Sequence, residues 1–255
     1  MMTTTSRVRL RGSVAAAVLL GVVGCSDGTA DGAGGADGPT PAAVTSERPA
    51  SGAPSPRTTS SSASSTPVPT DLPQDVLLPA SALQPSDGPR TVTSGVEPWV
   101  LSTGCDLGRP SGAVQVLSLR QGDGQFEVPV GVQQVAVYAD ADAAQAEAAR
   151  VAGAASACAA AAPGSDGGGT RYRVTPLDVG AQGTSIVTDY YGVTADDPAA
   201  DGIGDAVAVL RRGTAVVLVG AAGGEDSMSG AQARVAGYAQ QAWERLCRYQ
   251  VEGCA

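Results

Sequence analysis

The chain has 255 residues with 25 Asp and Glu against 16 basic residues, every one of them Arg, and its formal net charge is −9. That length suits one ordinary domain with accessories, and the acidic balance repels nucleic acid, which excludes a partner tracked through its phosphates. The absence of His removes Ser-His-Asp and Cys-His nucleophiles and any zinc site with a His ligand.

There is also no Lys or Asn, and Ala and Gly are in excess, the composition of a high-GC genome such as that of an actinobacterium. All nine aromatic residues lie at or after Trp99, so the first 98 residues can build little core.

In chain order, RVRLR at residues 7–11 is a positive n-region, and the uncharged, mostly apolar stretch from Gly12 to Gly24 is 13 residues long. A membrane-spanning helix needs about 17–25 residues, so the layout is that of a secretory signal peptide over residues 1–24. Val22-Val23-Gly24-Cys25 resembles the lipobox of bacterial lipoproteins, with Val where Leu is commoner at the first position. The resemblance implies that the Cys25 sulfur is alkylated by a diacylglycerol and that cleavage leaves Cys25 as the new N-terminus. Two acyl chains suffice for stable anchoring, which implies a lipid-bilayer partner and a place on the outer face of the cytoplasmic membrane. Removing Cys25 from the count leaves Cys105, Cys158, Cys247 and Cys254, an even set for an oxidising compartment with three possible pairings.

Residues 25–71 are the anchor cysteine followed by Ser, Thr, Gly, Pro, Ala and Asp, a composition with almost nothing apolar to bury and therefore a disordered stalk. As a coil, about 46 residues span roughly 35–40 Å, enough to hold a head away from the membrane. The folded head is expected over residues 72–255, with order beginning near Asp75.

Within the head, DVLLPASAL reads as a docking segment or short helix, and SGVEPWVLSTGC as an extended run carrying Trp99. GAVQVLSLR and VGVQQVAVYAD have period-two, β-branched strand character. Asp140 or Asp142 then offers an N-cap for an Ala-rich helix over 141–162, with Ala144, Ala148, Val151, Ala155, Cys158 and Ala162 on its inner stripe. RYRVTPLDV and TSIVTDYYGV read as strands, and DAVAVLRRGTAVVLVG as a hairpin turning at Arg212-Gly213. After a flexible AAGGEDS, a last helix runs from about Met228 to Arg248, with Ala231, Val235, Tyr238, Ala239, Ala242 and Leu246 inward. The fold class expected is α+β: a largely antiparallel sheet with two long helices packed on one face.

Chemistry is sparse. There is no nucleophile elbow, phosphate-binding loop or dinucleotide fingerprint, so no catalytic residue, metal ligand or cofactor is expected. Asp197, Asp201, Gly202 and Asp205 occupy positions 1, 5, 6 and 9 of a calcium-type loop, but positions 3 and 12 are Ala199 and Ala208, so a solvated acidic turn is the better reading. Tyr190 and Tyr191 are candidate cleft residues, since one of an adjacent strand pair faces away from the core. Arg211 and Arg212, at the hairpin tip, are candidates for an anionic ligand or simply for a soluble turn.

The order strand, Tyr138-Ala-Asp, helix with Cys158, strand pair, hairpin VAVLRRGTAVVLV and closing helix resembles the extracellular sensor domain of PknH-type mycobacterial kinases over residues 125–250. The resemblance implies an α+β head with a ligand cleft, no catalytic residues, and a disulfide from Cys158 to an upstream partner, Cys105. The family's second disulfide, near the hairpin, has no counterpart; Cys247 and Cys254 are close enough in sequence to pair locally. The expected function is a lipid-anchored, non-enzymatic binding or sensor module with a small ligand or an envelope protein as partner. The alternatives are a scaffold for an envelope complex and a carboxylate-based hydrolase.

Overall fold

The computed structural model describes residues 67–101, 104–161 and 169–254. The signal peptide 1–24, Cys25, the stalk as far as residue 66 and Ala162 therefore lie outside the described residues. Residues from Ser60 to Ala255 make one compact unit.

Seven strands form one antiparallel sheet: β1 (Arg90–Ser94), β2 (Gln115–Gln121), β3 (Val130–Val137), β4 (Arg171–Pro176), β5 (Thr184–Asp189), β6 (Ile203–Arg212) and β7 (Ala215–Ser227). Their spatial order is β1-β2-β3-β7-β6-β5-β4. The two helices are α1 (Ala141–Ala160) and α2 (Met228–Arg245). The α+β class with an antiparallel sheet is as expected.

The helices do not share a face. Ala206, Ala208 and Leu210 of β6 and Val217 and Val219 of β7 pack with α2, whereas Val207, Val209, Val216 and Leu218 pack with α1. The expectation of both helices on one side is thus corrected to one on each. The cause is in the hairpin itself: AVAVL and AVVLV are apolar at every position rather than at every second one, so both faces of β6 and β7 need covering.

Each helix starts at a capped turn. The Asp140 side chain accepts from the Ala143 N–H at 2.8 Å, and Ser227 caps α2 by accepting from the Gly230 N–H. Beside that cap, Asp201 accepts from the Ser229 N–H and hydroxyl, an arrangement that holds its carboxyl below the usual range. α2 ends at Arg245, short of the expected Arg248, and Cys247–Tyr249 form a separate 3-10 turn.

Three further differences have simple causes. AAGGEDS is not a free loop but the second half of β7. Gly223 and Gly224 sit at φ 74° and 91°, forming the irregularity opposite Asp205, and pairing resumes at Gly204↔Asp226 and Ile203↔Ser227. β1 has no counterpart among the expected strands because RTVTS is a mostly exposed edge without apolar alternation. Finally, packing begins before Asp75: Leu72 is buried, Val68 packs on the same core, and the Tyr249 hydroxyl donates to the Asp71 carbonyl at 2.7 Å.

Neither helix covers β2 and β3 fully; two irregular segments complete the layers, and buried glutamines hold them. On the α2 face, Gln133 accepts from the Leu78 N–H at 2.7 Å and donates to the Val76 carbonyl. Beside it the Gln121 amide nitrogen lies 2.7–2.9 Å from the carbonyls of Ala80, Leu83 and Pro85. On the other face Gln134 accepts from the Val100 N–H at 2.7 Å and donates to the Pro98 carbonyl. Adjacent residues on one strand point to opposite faces, so the pair Gln133-Gln134 splints a strap on each side of the sheet.

Candidate functional site

The strap on the α1 face frames a cleft. Its first part is pinned to the sheet by Gln134 and to α1 by Glu147, and its second part to α1 by Arg150. Glu147, 4% exposed on α1, accepts from the Trp99 indole N–H at 2.8 Å and from two guanidinium nitrogens of Arg150 at 2.7 and 2.8 Å. Arg150 in turn donates to the carbonyls of Leu107 and Arg109. The disulfide Cys105–Cys158, with Cα atoms 5.8 Å apart, ties the same strap to the other end of α1. Its formation agrees with the pairing that the family resemblance implied. Cys247 and Cys254 form the second disulfide, a local one over a sequence separation of seven.

Between the strap and the end of the sheet lies an open cleft of about 540 Å³, lined by Glu97–Leu101 on one side and by Arg120, Ala222 and Gly223 on the other. Pairing of Arg120 with Val132 puts Arg120 on the α1 face, at the exposed end of β2. Val100, Leu101 and Ala222 are half-buried and give the cleft an apolar wall. Glu97, its one carboxylate, is turned toward Thr93, from whose hydroxyl it accepts at 3.2 Å. Among the described residues Arg120 has neither a hydrogen-bond nor an ion-pair partner, although Arg90, Arg150, Arg211, Arg212 and Arg234 are all engaged.

A smaller cleft, about 320 Å³, opens on the α2 face at the same end of the sheet. It carries Glu127, Glu225 and Asp226, and its arginine, Arg234, is ion-paired with Asp226. The loop beside it holds Phe126 and Glu127 at φ 53° and 62°, with Phe126 92% exposed. Left-handed backbone at two consecutive non-glycine residues costs of order 1–2 kcal/mol each. Among the described residues no group of three Cys, Asp or Glu is arranged to hold a metal ion.

The residues singled out from sequence do not come together. Tyr190 is half-buried and Tyr191 exposed, just beyond β5. Arg211 lies at the far end of β6: from Gly204, opposite Asp189, to Arg211 is about 23 Å along the strand. Nor are the hairpin arginines free. Arg211 donates to Gln182 at 2.6 Å, while Arg212 donates to Gln250 and the Trp243 carbonyl and stacks 3.9 Å from the Trp243 ring centroid. They fasten the hairpin to its neighbours; neither lines the larger cleft.

The acidic stretch is not a solvated turn throughout. Asp197 caps a local turn, but Asp205 is 1% exposed and accepts from the Gly223 N–H at 3.0 Å. Asp189, 3% exposed, organises residues 191–194: it accepts from the N–H groups of Gly192 and Thr194 and from the Thr194 hydroxyl. Burial works to raise its pKa, but the hydrogen bonds from Thr194, Val193 and Gly192 together outweigh it, so the carboxyl is held below its ordinary 3.8. A depressed folded-state pKa gives stability that is full above the unfolded value and lost as pH falls through the folded one. The stability difference between the native chain and Asp189→Asn, large at neutral pH, is therefore expected to shrink below about pH 4, as Tm measurements from pH 7 to 2 would show. A difference that stays constant with pH would contradict this role.

None of the cleft residues is singled out as a site from sequence; Trp99 reads only as part of an extended run. A signal did exist in Gln133-Gln134, a polar pair within an otherwise apolar strand, which asks for buried partners on both faces.

No family model matches the sequence, and no curated protein does. Among solved structures the chain is similar to the crystal structure of the extracellular domain of PknH from Mycobacterium tuberculosis. The identity is 17% and the TM-score 0.45, over 70% of this chain and 98% of that one.

Proposed function

We propose that this chain is a lipid-anchored extracytoplasmic module that binds a small ligand without transforming it. The observation that carries the reading is the larger cleft: a concavity within the size range of ligand sites, whose strap is fixed in advance by Gln134, Glu147 and a disulfide. Pre-organisation of that kind lowers the ordering cost of binding. The cleft offers one carboxylate, whereas hydrolysis by paired carboxylates needs two. The smaller cleft has Glu127 and Glu225, but both are exposed and lack the apolar burial that sets a general acid apart from a base.

Location is supported by chemistry. Four of the five cysteines are joined in two disulfides, which persist in oxidising compartments, and the remaining one is Cys25 in its lipobox-like setting. Mass spectrometry of the mature chain is expected to find an N-terminal, diacylglyceryl-modified Cys25; an unmodified Cys25, or cleavage elsewhere, would remove the anchor from the proposal. Binding is tested by thermal shift of Ser60–Ala255 against envelope fragments and small amphiphiles, where a ligand at 100 times its Kd adds about 2.7 kcal/mol. If no compound of any charge raises Tm, the binding reading fails.

A further inference from the structure

We infer that the ligand of the larger cleft is an amphiphile with a single anionic head group, recognised by Arg120; this rests on the binding reading above and names its ligand class. Three observations converge. Arg120 is the cleft's one cation, and no described residue neutralises it, in a chain whose net charge is −9 and which therefore has carboxylates to spare. The fork of a guanidinium matches a carboxylate or phosphate bidentately, and such charge-assisted pairs are the strong ones.

The lining beside Arg120 is apolar on both walls: Val100 and Leu101 from the strap and Ala222 from β7 present half-buried side chains that a hydrocarbon body would cover. Glu97 forms no ion pair with Arg120 and is turned toward Thr93, so the guanidinium stays open to a ligand. A volume of about 540 Å³ corresponds to roughly eighteen waters, room for a head group and a chain of eight or so carbons. The smaller cleft fails the same test, since its arginine, Arg234, is already paired with Asp226 and two further carboxylates, Glu127 and Glu225, outweigh it, against a single carboxylate in the larger cleft.

The geometry also fixes the order of the ligand. The head group sits over β2 at Arg120, and the apolar body lies across the sheet toward β7, between Ala222 and the strap. Carboxylate and phosphate heads share this chemistry, so the probes must separate them.

The test uses Ser60–Ala255, which holds the whole core, produced with its disulfides formed. Calorimetry and thermal shift would compare octanoate, octyl phosphate, octyl glucoside, octylamine and inorganic phosphate, each below its micelle concentration. Octanoate or octyl phosphate is expected to bind at least tenfold more tightly than the neutral and cationic chains, and inorganic phosphate alone to bind weakly. The stronger of the two anionic chains identifies the head group. Arg120→Gln is expected to lose about 10–100-fold of that affinity with its unliganded Tm unchanged, because the side chain is exposed and without partners. Arg171→Gln, the same charge change on the opposite edge strand, should lose little.

Equal binding of octyl glucoside, or unchanged affinity in Arg120→Gln, overturns the assignment of an anionic ligand while leaving a binding module. No binding by any of the five probes also overturns it; the wider binding reading falls only if envelope fragments fail as well.

Discussion

Glu147→Ala is expected to lower the stability of the head by about 3 kcal/mol, roughly 6–12 °C in Tm for a domain of this size. The side chain is 4% exposed and satisfies two groups from different parts of the chain, the Trp99 indole and the Arg150 guanidinium. Removing it strands the indole N–H, itself buried with Trp99 at 3% exposure, at a cost of about 1–3 kcal/mol. The arginine contributes less, because its side chain is 38% exposed and water can take over part of its solvation.

Glu147→Gln separates the two contributions. It keeps an oxygen for the indole and loses the ionic attraction, so about half of the effect should return. Chemical denaturation of both variants decides the matter: a loss below about 1 kcal/mol for alanine would mean that the strap does not depend on this carboxylate.

The same residue shows why parts of the fold are legible in sequence and others are not. The inner stripe of α2 could be read because its partners are simply apolar, and spacing alone marks a face: Ala231, Val235, Tyr238, Ala239, Ala242 and Leu246 are all buried. The four inner residues of α1 up to Ala155 were legible for the same reason. Glu147 was not, since on an Ala-rich helix a Glu three residues before an Arg reads as a solvated pair, and what makes it different is an indole 48 residues upstream. Long-range polar contacts leave no periodicity behind.

The contacts of the hairpin pair Arg211-Arg212 were hidden in the opposite direction. Charge beside a turn suggests solvent, yet Gln182, Gln250 and Trp243 converge on these side chains, and spacing along the chain does not show that their elements meet the hairpin. The continuous apolar run of β6 and β7 did carry the information that both faces are covered. Reading it as a hairpin captured the connection but not its consequence for the helices.

The largest effect is expected from Cys105→Ser/Cys158→Ser. Closing a loop over a sequence separation of 53 removes unfolded-state entropy worth about 4 kcal/mol in the chain-entropy model, whereas the Cys247–Cys254 loop of seven is worth about 2.5 kcal/mol. The ranking rests on loop length, and location adds to it. Cys105 lies on the strap and Cys158 on the last turns of α1, so cutting the link frees the middle of the strap while Gln134 and Glu147 still hold its beginning. The double variant should therefore unfold about 8–16 °C lower and, at temperatures where it remains folded, bind cleft ligands more weakly because the wall must be ordered on binding. Cys247→Ser/Cys254→Ser, far from the cleft, should lose stability alone. Equal losses of affinity in the two double variants would show that the strap does not shape the site, and a stability loss larger for the seven-residue loop than for the long one would show that native-state contacts, not loop entropy, set the order.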